Sequence, residues 1–345
     1  MRNLDFWTEV RERLAADEAV FVTLVADHTR HSPGTRGARL MLAEDDQVHG
    51  TIGGGIMEKN ILSMGMQLLA DRRRMGSLET LYHRKEAPGA TSGMICAGQQ
   101  TNLSLVLTPQ DALEPVSMAC ERMQEDRAGV LRIITGGQFS FVEQDPRPGE
   151  RAVRLQQDDS GWVYEEQVLE LDRAVIFGGG HCGLALSNQL EMLGYVVTVI
   201  DPRKDLEQFV ENNSARHKIA CADYATSSAS VSHPHLTMAV VMTADFPSDT
   251  KALEGALRED FPFIGVMGAP AKLRAIKAAL SEKGFSGEDL ERITAPVGLP
   301  IGSSTPQEIA VSVAAQLIQL RTALFPERGP SDFDRGDANN REELA

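Results

Sequence analysis

The hydrophobic positions in the first half of the chain change period several times. Trp7, Val10 and Leu14 fall at helical spacing, while AVFVTLVA (19–26) is a short apolar run of the kind a buried strand makes. RLMLAE (39–44) and QVHGTI (47–52) flank Asp45–Asp46 and predict a hairpin. Three glycines follow at 53–55, and then Met57, Ile61, Met64 and Leu68 step by 4, 3 and 4, the apolar face of a helix. Leu103, Leu105 and Leu107 alternate as in a half-buried strand. A helix near 111–126 precedes GVLRIIT and FSFVEQ, which Gly136–Gly137 join as a hairpin turn.

The second half is more regular. A stretch rich in Pro, Gly, Asp and Glu (144–170) carries a short hairpin around DDSG, and its end, EEQVLELDR, reads as a linker. Beyond it come AVIFGGG, a helix, VVTVID, a loop, HKIACAD, TMAVVMT, a helix, FPFIGVMG and further helices. Strands alternating with helices imply a parallel sheet covered on both faces. The expected fold is therefore α/β in two domains: an α+β N-terminal domain over 1–165 and a Rossmann-like, doubly wound C-terminal domain over 171–325. The tail, 326–345, is short of apolar residues and is expected to be disordered. In the last helix Ile309, Val313, Leu317, Leu320 and Leu324 share a stripe that could be a core face or a homodimer seam. Its start, Thr305-Pro306-Gln307-Glu308, has capping-box spacing.

Composition narrows the function. The chain has 345 residues, 42% hydrophobic and 24% charged, with a net charge of −15. That balance disfavours nucleic acid, whose phosphates need clustered Lys and Arg; the one short basic run, DRRRM (71–75), suits a helix C-terminus instead. No apolar run approaches the ~20 residues a bilayer span requires. Four cysteines without a C-x-x-C pair argue against a disulfide framework or structural zinc, and point to a cytoplasmic protein with reduced thiols.

Chemistry concentrates in glycine-bearing turns. GGGHCG places Gly178, Gly180 and Gly183 in G-x-G-x-x-G order between a strand and a helix, and the next strand ends in Asp201. In that context the string is a dinucleotide-type fingerprint. Its glycines admit a pyrophosphate to the helix start, and the acid could take a ribose diol. The competing reading is a domain that keeps the glycines for tight packing and binds nothing. An NAD(P)-dependent oxidoreductase is weakened because none of Tyr82, Tyr164, Tyr195 and Tyr224 has a lysine four positions on. A nucleotide-sensing regulatory module is a further alternative. His233-Pro-His235 reads as a solvated turn rather than a metal site.

The first half holds two more such loops. SPGTRGARL (32–40) sets Arg36 and Arg39 around a turn, and GTIGGGIMEKN (50–60) runs strand, three glycines, helix. Gly53, Gly54 and Gly55 repeat the anion-site logic, Arg36 could add a bidentate phosphate contact, and Glu58 suits the helix dipole. Cys96, in TSGMICAGQQT, stands in an open glycine-bearing loop; beside such a helix start it would be held as a thiolate. Cys120 and Cys221 read as core residues. The two halves are expected to close with the thiol and bare amides facing one crevice.

Taken together, SPGTRGARL, GTIGGGIMEKN, SGMICAG, IFGGGHCG, VIDPR, FIGVMG and PVGLPIGSSTPQEIAVSVAAQLI give a chain that resembles the XdhC/CoxI family over nearly its whole length. These are xanthine dehydrogenase accessory proteins. The resemblance implies a chaperone rather than an enzyme: one that binds the molybdenum cofactor as molybdopterin or its cytosine dinucleotide form. With a cysteine desulfurase it would assist sulfuration of the cofactor, and then deliver it to a molybdenum hydroxylase apoenzyme. The family's loop cysteine falls on Cys96, its first glycine loop on Gly53, Gly54, Gly55 and Glu58, and its Rossmann turn on Gly178, Gly180 and Gly183. The chain departs from the family's pattern in three places. Cys-Gly-Gly is Cys96-Ala97-Gly98; a His-Asp-His segment is replaced by TADFPSD (243–249); and Gly-Ser-Arg-Arg is Gly268-Ala269-Pro270-Ala271.

Overall fold

The computed structural model describes residues 3–29, 31–71, 76–83, 98–146 and 151–324. Cys96, most of the DRRRM run and the tail from 325 onward fall outside the described residues. The chain divides into two compact units, the first ending at Leu169 and the second beginning at Glu170.

The first unit runs α1 (Asn3–Ala15), β1 (Val20–His28), β2 (Arg39–Ala43), β3 (Val48–Thr51), α2 (Gly55–Ala70), β4 (Gly76–Tyr82) and β5 (Gln99–Leu107). It continues with α3 (Pro109–Gln124), β6 (Val130–Ile134), β7 (Gln138–Val142), β8 (Val153–Asp158) and β9 (Gly161–Gln167). A five-stranded antiparallel sheet has the order β3-β2-β1-β5-β4, and a four-stranded one the order β7-β6-β9-β8. β1 lies at the centre of the larger sheet and is apolar on both faces for that reason. Phe21 and Val25 pack with Met57 and Ile61 of α2 on one side. Val20, Val22 and Leu24 join Phe6, Trp7 and Val10 of α1, Val116 of α3 and the smaller sheet on the other. Helix α2 sits so close that a Cβ at Gly65 would lie 2.5 Å from the Phe21 ring.

The segment EEQVLELDR does not start as a linker. Glu165–Gln167 complete β9, and Glu166 is buried. Its carboxylate accepts from Trp7 Nε1 (3.1 Å), Tyr164 Oη (2.7 Å) and Arg39 Nη1 (2.9 Å). A buried carboxylate is tolerated only with partners of this kind, and the linear sequence does not display them.

The second unit contains β10 (Arg173–Phe177), α4 (His181–Met192), β11 (Val196–Asp201), α5 (Glu207–Val210), β12 (His217–Ala220), α6 (Tyr224–Ser227) and β13 (Thr237–Val241). Then come α7 (Phe246–Ala256), β14 (Phe263–Val266), α8 (Pro270–Glu282), α9 (Gly287–Glu291), β15 (Ile293–Thr294) and α10 (Pro306–Leu324). The sheet is parallel throughout, in the order β12-β11-β10-β13-β14-β15. This is the doubly wound, Rossmann-like order, whose direction of winding reverses between β10 and β13. Leu186 and Leu190 of α4 with Val313 and Leu317 of α10 cover one face. Leu253 and Ala256 of α7 with Ile276 and Leu280 of α8 cover the other. The stripe on α10 is thus a core face at Val313 and Leu317. The expected capping box is present, with Thr305 Oγ1 accepting from Glu308 N and Glu308 Oε2 from Thr305 N.

Candidate functional site

In the first unit, three loops expected to carry function meet on bare backbone. A Cβ at Gly34 would lie 2.2 Å from Ile52 O, one at Gly53 2.7 Å from Gly34 N, and one at Gly98 2.5 Å from Ser32 N. Only glycine allows strands and turns to approach this closely. Gln100, buried at the start of β5, ties them together. Its Oε1 accepts from Ser32 Oγ and Gly34 N (3.0 Å each), and its Nε2 donates to Ile52 O (3.0 Å) and Asn102 Oδ1 (2.8 Å). His83, also fully buried, brings Nε2 to 3.4 Å from Ser32 Oγ, and burial pushes its pKa down. Neither Gln100 nor His83 carries a motif that would have singled it out. Cys96 precedes Gly98 by two positions in the sequence and lies outside the described residues.

The turn at Gly53, Gly54 and Gly55 corrects the expectation of an open anion cradle. All three glycines have positive φ and α2 begins at Gly55, but the amides of Ile52, Gly53 and Gly54 are taken. Glu58 Oε2 accepts from Ile52 N (2.9 Å), Gly54 N (3.1 Å) and Thr51 Oγ1 (2.6 Å), while Gly53 N donates to Thr51 Oγ1 (3.2 Å). The anion at this helix start is the chain's own carboxylate. Arg36 is corrected in the same way: its guanidinium is largely buried and paired with Asp27, so it is not presented to a phosphate.

The turn of the second unit follows the glycine logic more closely. Gly178, at φ 116°, donates its N–H to Ile200 O (2.9 Å), and a Cβ there would lie 2.4 Å from Met242 O. A Cβ on Gly183 would stand 2.0 Å from Gly178 O, so this glycine is required for helix α4 to seat against the strand. Gly180 caps α4 with no atom within 4 Å of a Cβ position, leaving the helix start accessible. His181 is exposed, and the Cys182 thiol is pushed up by burial.

Asp201 differs from its expected role on a ribose. It is fully buried, and both carboxylate oxygens are in use. Arg203 donates from N and Nε to Oδ1 (2.8 and 2.9 Å) and from Nη2 to Oδ2 (2.7 Å), while Gly179 N donates to Oδ2 (2.8 Å). Burial works to raise this carboxyl's pKa, but the Arg203 and Gly179 hydrogen bonds outweigh it and hold the group below the usual range.

A second buried acid stands across the turn, in the segments where the chain departs from the family's pattern. Asp249, fully buried in α7, accepts from Thr243 N (3.2 Å) and Thr243 Oγ1 (2.5 Å), and pairs with Lys272 near the start of α8. TADFPSD and the residue following Gly268-Ala269-Pro270-Ala271 thus supply a carboxylate–ammonium pair where the family's pattern has histidines and arginines. The spacing of an acid and a lysine 23 positions apart gives no sign of this pairing.

Comparison with known sequences bears on both units. A sequence model described as the XdhC and CoxI family matches residues 13–81, and one described as the XdhC Rossmann domain matches 174–317. The chain is 23% identical over 298 residues to an uncharacterized Escherichia coli protein, YqeB, covering 85% of this chain and 42% of that protein. It is 27% identical over 164 residues to a Bacillus subtilis protein described as a probable xanthine dehydrogenase subunit, covering 48% of this chain and 47% of that one. The chain therefore spans less than half the length of these two curated relatives. A crystal structure from Bacillus halodurans, described as a xanthine dehydrogenase, superposes with a TM-score of 0.71 at 20% identity, covering 94% of this chain and 96% of that one. At that identity the likeness speaks for the fold. With one family model falling on each unit, and with motifs that run through both, the chain belongs to the XdhC and CoxI family.

Proposed function

We propose that this protein is an accessory factor for a molybdenum hydroxylase of the xanthine dehydrogenase class. On this reading it binds the molybdenum cofactor, assists its sulfuration with sulfur from a cysteine desulfurase, and hands it to the apoenzyme. The observation that carries the reading is the meeting of Gly34, Gly53 and Gly98 on a platform fixed by Gln100, with Gly98 two positions after Cys96 in the sequence. Family membership and relatives named for xanthine dehydrogenase support it.

The fit of the residues to the cofactor is divided. Molybdopterin carries a phosphate, and the Gly53–Gly55 turn suits it poorly because the Glu58 carboxylate already lies on the Ile52 and Gly54 amides. The Gly178–Gly183 turn does suit a phosphate-bearing group, with an accessible helix start and the cations Arg203 and Lys272 nearby. When bound, the cofactor would supply a soft molybdenum–dithiolene centre compatible with a thiolate. The described cysteines do not fill that part. Cys120, Cys182 and Cys221 are each pushed toward the neutral thiol, in every case chiefly by burial. The reading therefore gives the reactive sulfur to Cys96.

The test is activation of the hydroxylase produced together with this protein. Cys96→Ala should abolish activation while its far-ultraviolet spectrum and unfolding midpoint match wild type; full activation by the variant overturns the assignment. Protein purified from a molybdenum-replete host should also yield the fluorescent pterin oxidation product.

A further inference from the structure

β12 is the outer strand of the second unit's sheet, and a cavity of about 390 Å³ opens beside its first residues. Three segments wall it: Thr198 of β11, the run from Arg216 to Ile219 at the start of β12, and Ser230 and Ser232 after α6. The cavity is remote from the glycine turn. Thr198 stands opposite His217 in the parallel register, and Arg173, whose Nη2 donates to the Ser232 hydroxyl (3.3 Å), begins β10. The glycines instead follow Phe177, the last residue of that strand, whose five residues put about 13 Å between its ends.

The wall is polar where the sheet around it is apolar. Val196, Val197, Val199 and Ile200 of β11 are buried hydrophobics, and Thr198, only 6% exposed, interrupts them. Its hydroxyl has no hydrogen-bond partner among the described residues. A buried hydroxyl costs free energy unless a partner meets it, and valine would fill the same strand position without that cost. Among the described lining residues there is no carboxylate, although the chain carries a net charge of −15. Charges on an edge strand can serve simply to deter pairing with another strand. Lys218 fits that role, since its Nζ donates to Val210 O (2.8 Å). The Thr198 hydroxyl does not fit it, because β11 lies one strand in from the edge.

We propose that this cavity binds the phosphate monoester of a small polyol, at a site separate from the glycine turn. Arg216 brings the positive charge, and its planar fork suits phosphate oxygens. The His217 ring and the hydroxyls of Thr198, Ser230 and Ser232 add further donors. Because the buried Arg173 donates to Ser232 Oγ, that hydroxyl can give its own proton to a ligand. Donors arriving from three segments suit a tetrahedral group with three terminal oxygens better than a planar carboxylate. The volume lies in the range of small-molecule sites and exceeds what a bare oxyanion fills, and the polar lining favours a hydroxylated body. The inference does not depend on the accessory reading, since it involves neither Cys96 nor the glycine turns.

The test is calorimetric titration of the full-length protein with ribose 5-phosphate, inorganic phosphate and ribose. Ribose 5-phosphate should bind, inorganic phosphate should bind about tenfold more weakly, and ribose should give no signal. Thr198→Val should weaken the ester about tenfold, since it removes a hydrogen bond to a charged group. Its unfolding midpoint should equal or exceed that of wild type, because the hydroxyl has no partner in the fold. A lower midpoint would make that hydroxyl a structural group and overturn the proposal. Arg216→Met should cost about tenfold or more, and Arg216→Lys, which keeps the charge and loses the fork, should also weaken binding if the Met variant fails to fold. Wild type that does not bind ribose 5-phosphate overturns the proposal. So does ribose or inorganic phosphate matching the ester, or full affinity in the folded variants. Cys96→Ala should titrate as wild type, so failure of this site and failure of the accessory reading are separable.

Discussion

The two units each contain a strand, three glycines and a helix, yet the residue six positions along treats the two turns differently. Counted from the first glycine, Gly53-Gly54-Gly55-Ile56-Met57-Glu58 lies over Gly178-Gly179-Gly180-His181-Cys182-Gly183. The sixth position is a glutamate in one and a glycine in the other. Glu58 folds back and spends its carboxylate on the turn's own amides. Gly183 has no side chain to fold back and lets α4 close onto the Gly178 carbonyl. Helix α2 also starts on the third glycine, whereas in α4 the third glycine is the cap. One residue thus sets which carboxylate meets each turn: Glu58 from the first turn's own helix, and Asp201 from the next strand at Gly179 of the second. A glycine string reports that backbone comes close to something; the residue that follows it decides what.

The largest effect expected from this contrast is at the sixth position of the second turn. Gly183→Ala would put a methyl 2.0 Å from a carbonyl oxygen, with backbone on both sides and little room to relax. A loss of about 3 kcal/mol is expected in denaturant unfolding of the second unit. Gly180→Ala, with open space and a φ of −75°, should stay within about 0.5 kcal/mol. Similar losses in both would mean that steric closure does not distinguish these glycines.

Glu58→Ala should cost about 1–2 kcal/mol, because it strips the acceptor from two amides and a hydroxyl in a partly exposed turn. It also sharpens the comparison. If Glu58 is what closes the cradle, added phosphate should raise the melting temperature of the variant more than that of wild type. An equal response would show that the vacated turn is not an anion site.

The smallest effect concerns the platform behind the first turn. Burial holds His83 below its ordinary pKa, so the unfolded chain binds this proton more tightly than the folded one. The stability it contributes is complete above the unfolded value of ~6.5 and is lost as pH falls below it toward the folded value, by at most ~1.4 kcal/mol per pH unit. His83→Gln should flatten this part of the melting profile between about pH 7 and about pH 5.5. Parallel profiles for the two proteins would assign the acid sensitivity elsewhere.

Much of this was legible in the chain. Apolar runs alternating with helical periods gave the parallel sheet. The step of Met57, Ile61, Met64 and Leu68 gave α2, and Thr305 to Glu308 gave the cap of α10, because each depends on residues close in sequence. The Asp249–Lys272 pair was not legible, nor was the junction of Ser32, Gly34, Ile52 and Gly98 around Gln100. These join segments far apart in the chain, and no local spacing encodes a partner that arrives from another strand. Arg36 and Asp201 show a different limit, since their partners stand only nine and two positions away and the spacing still does not say that the charges pair. Their side chains were of the right type for a ligand, but the fold supplied Asp27 and Arg203 first.

Sequence alone therefore determined most of the elements, the strand–helix alternation of a doubly wound sheet and many of the positions where backbone must be bare, since steric and hydrophobic constraints act residue by residue. Only the tertiary structure decided which charges are already spent. A buried carboxylate or guanidinium must be paired to be tolerated, and the partner is chosen by proximity in space.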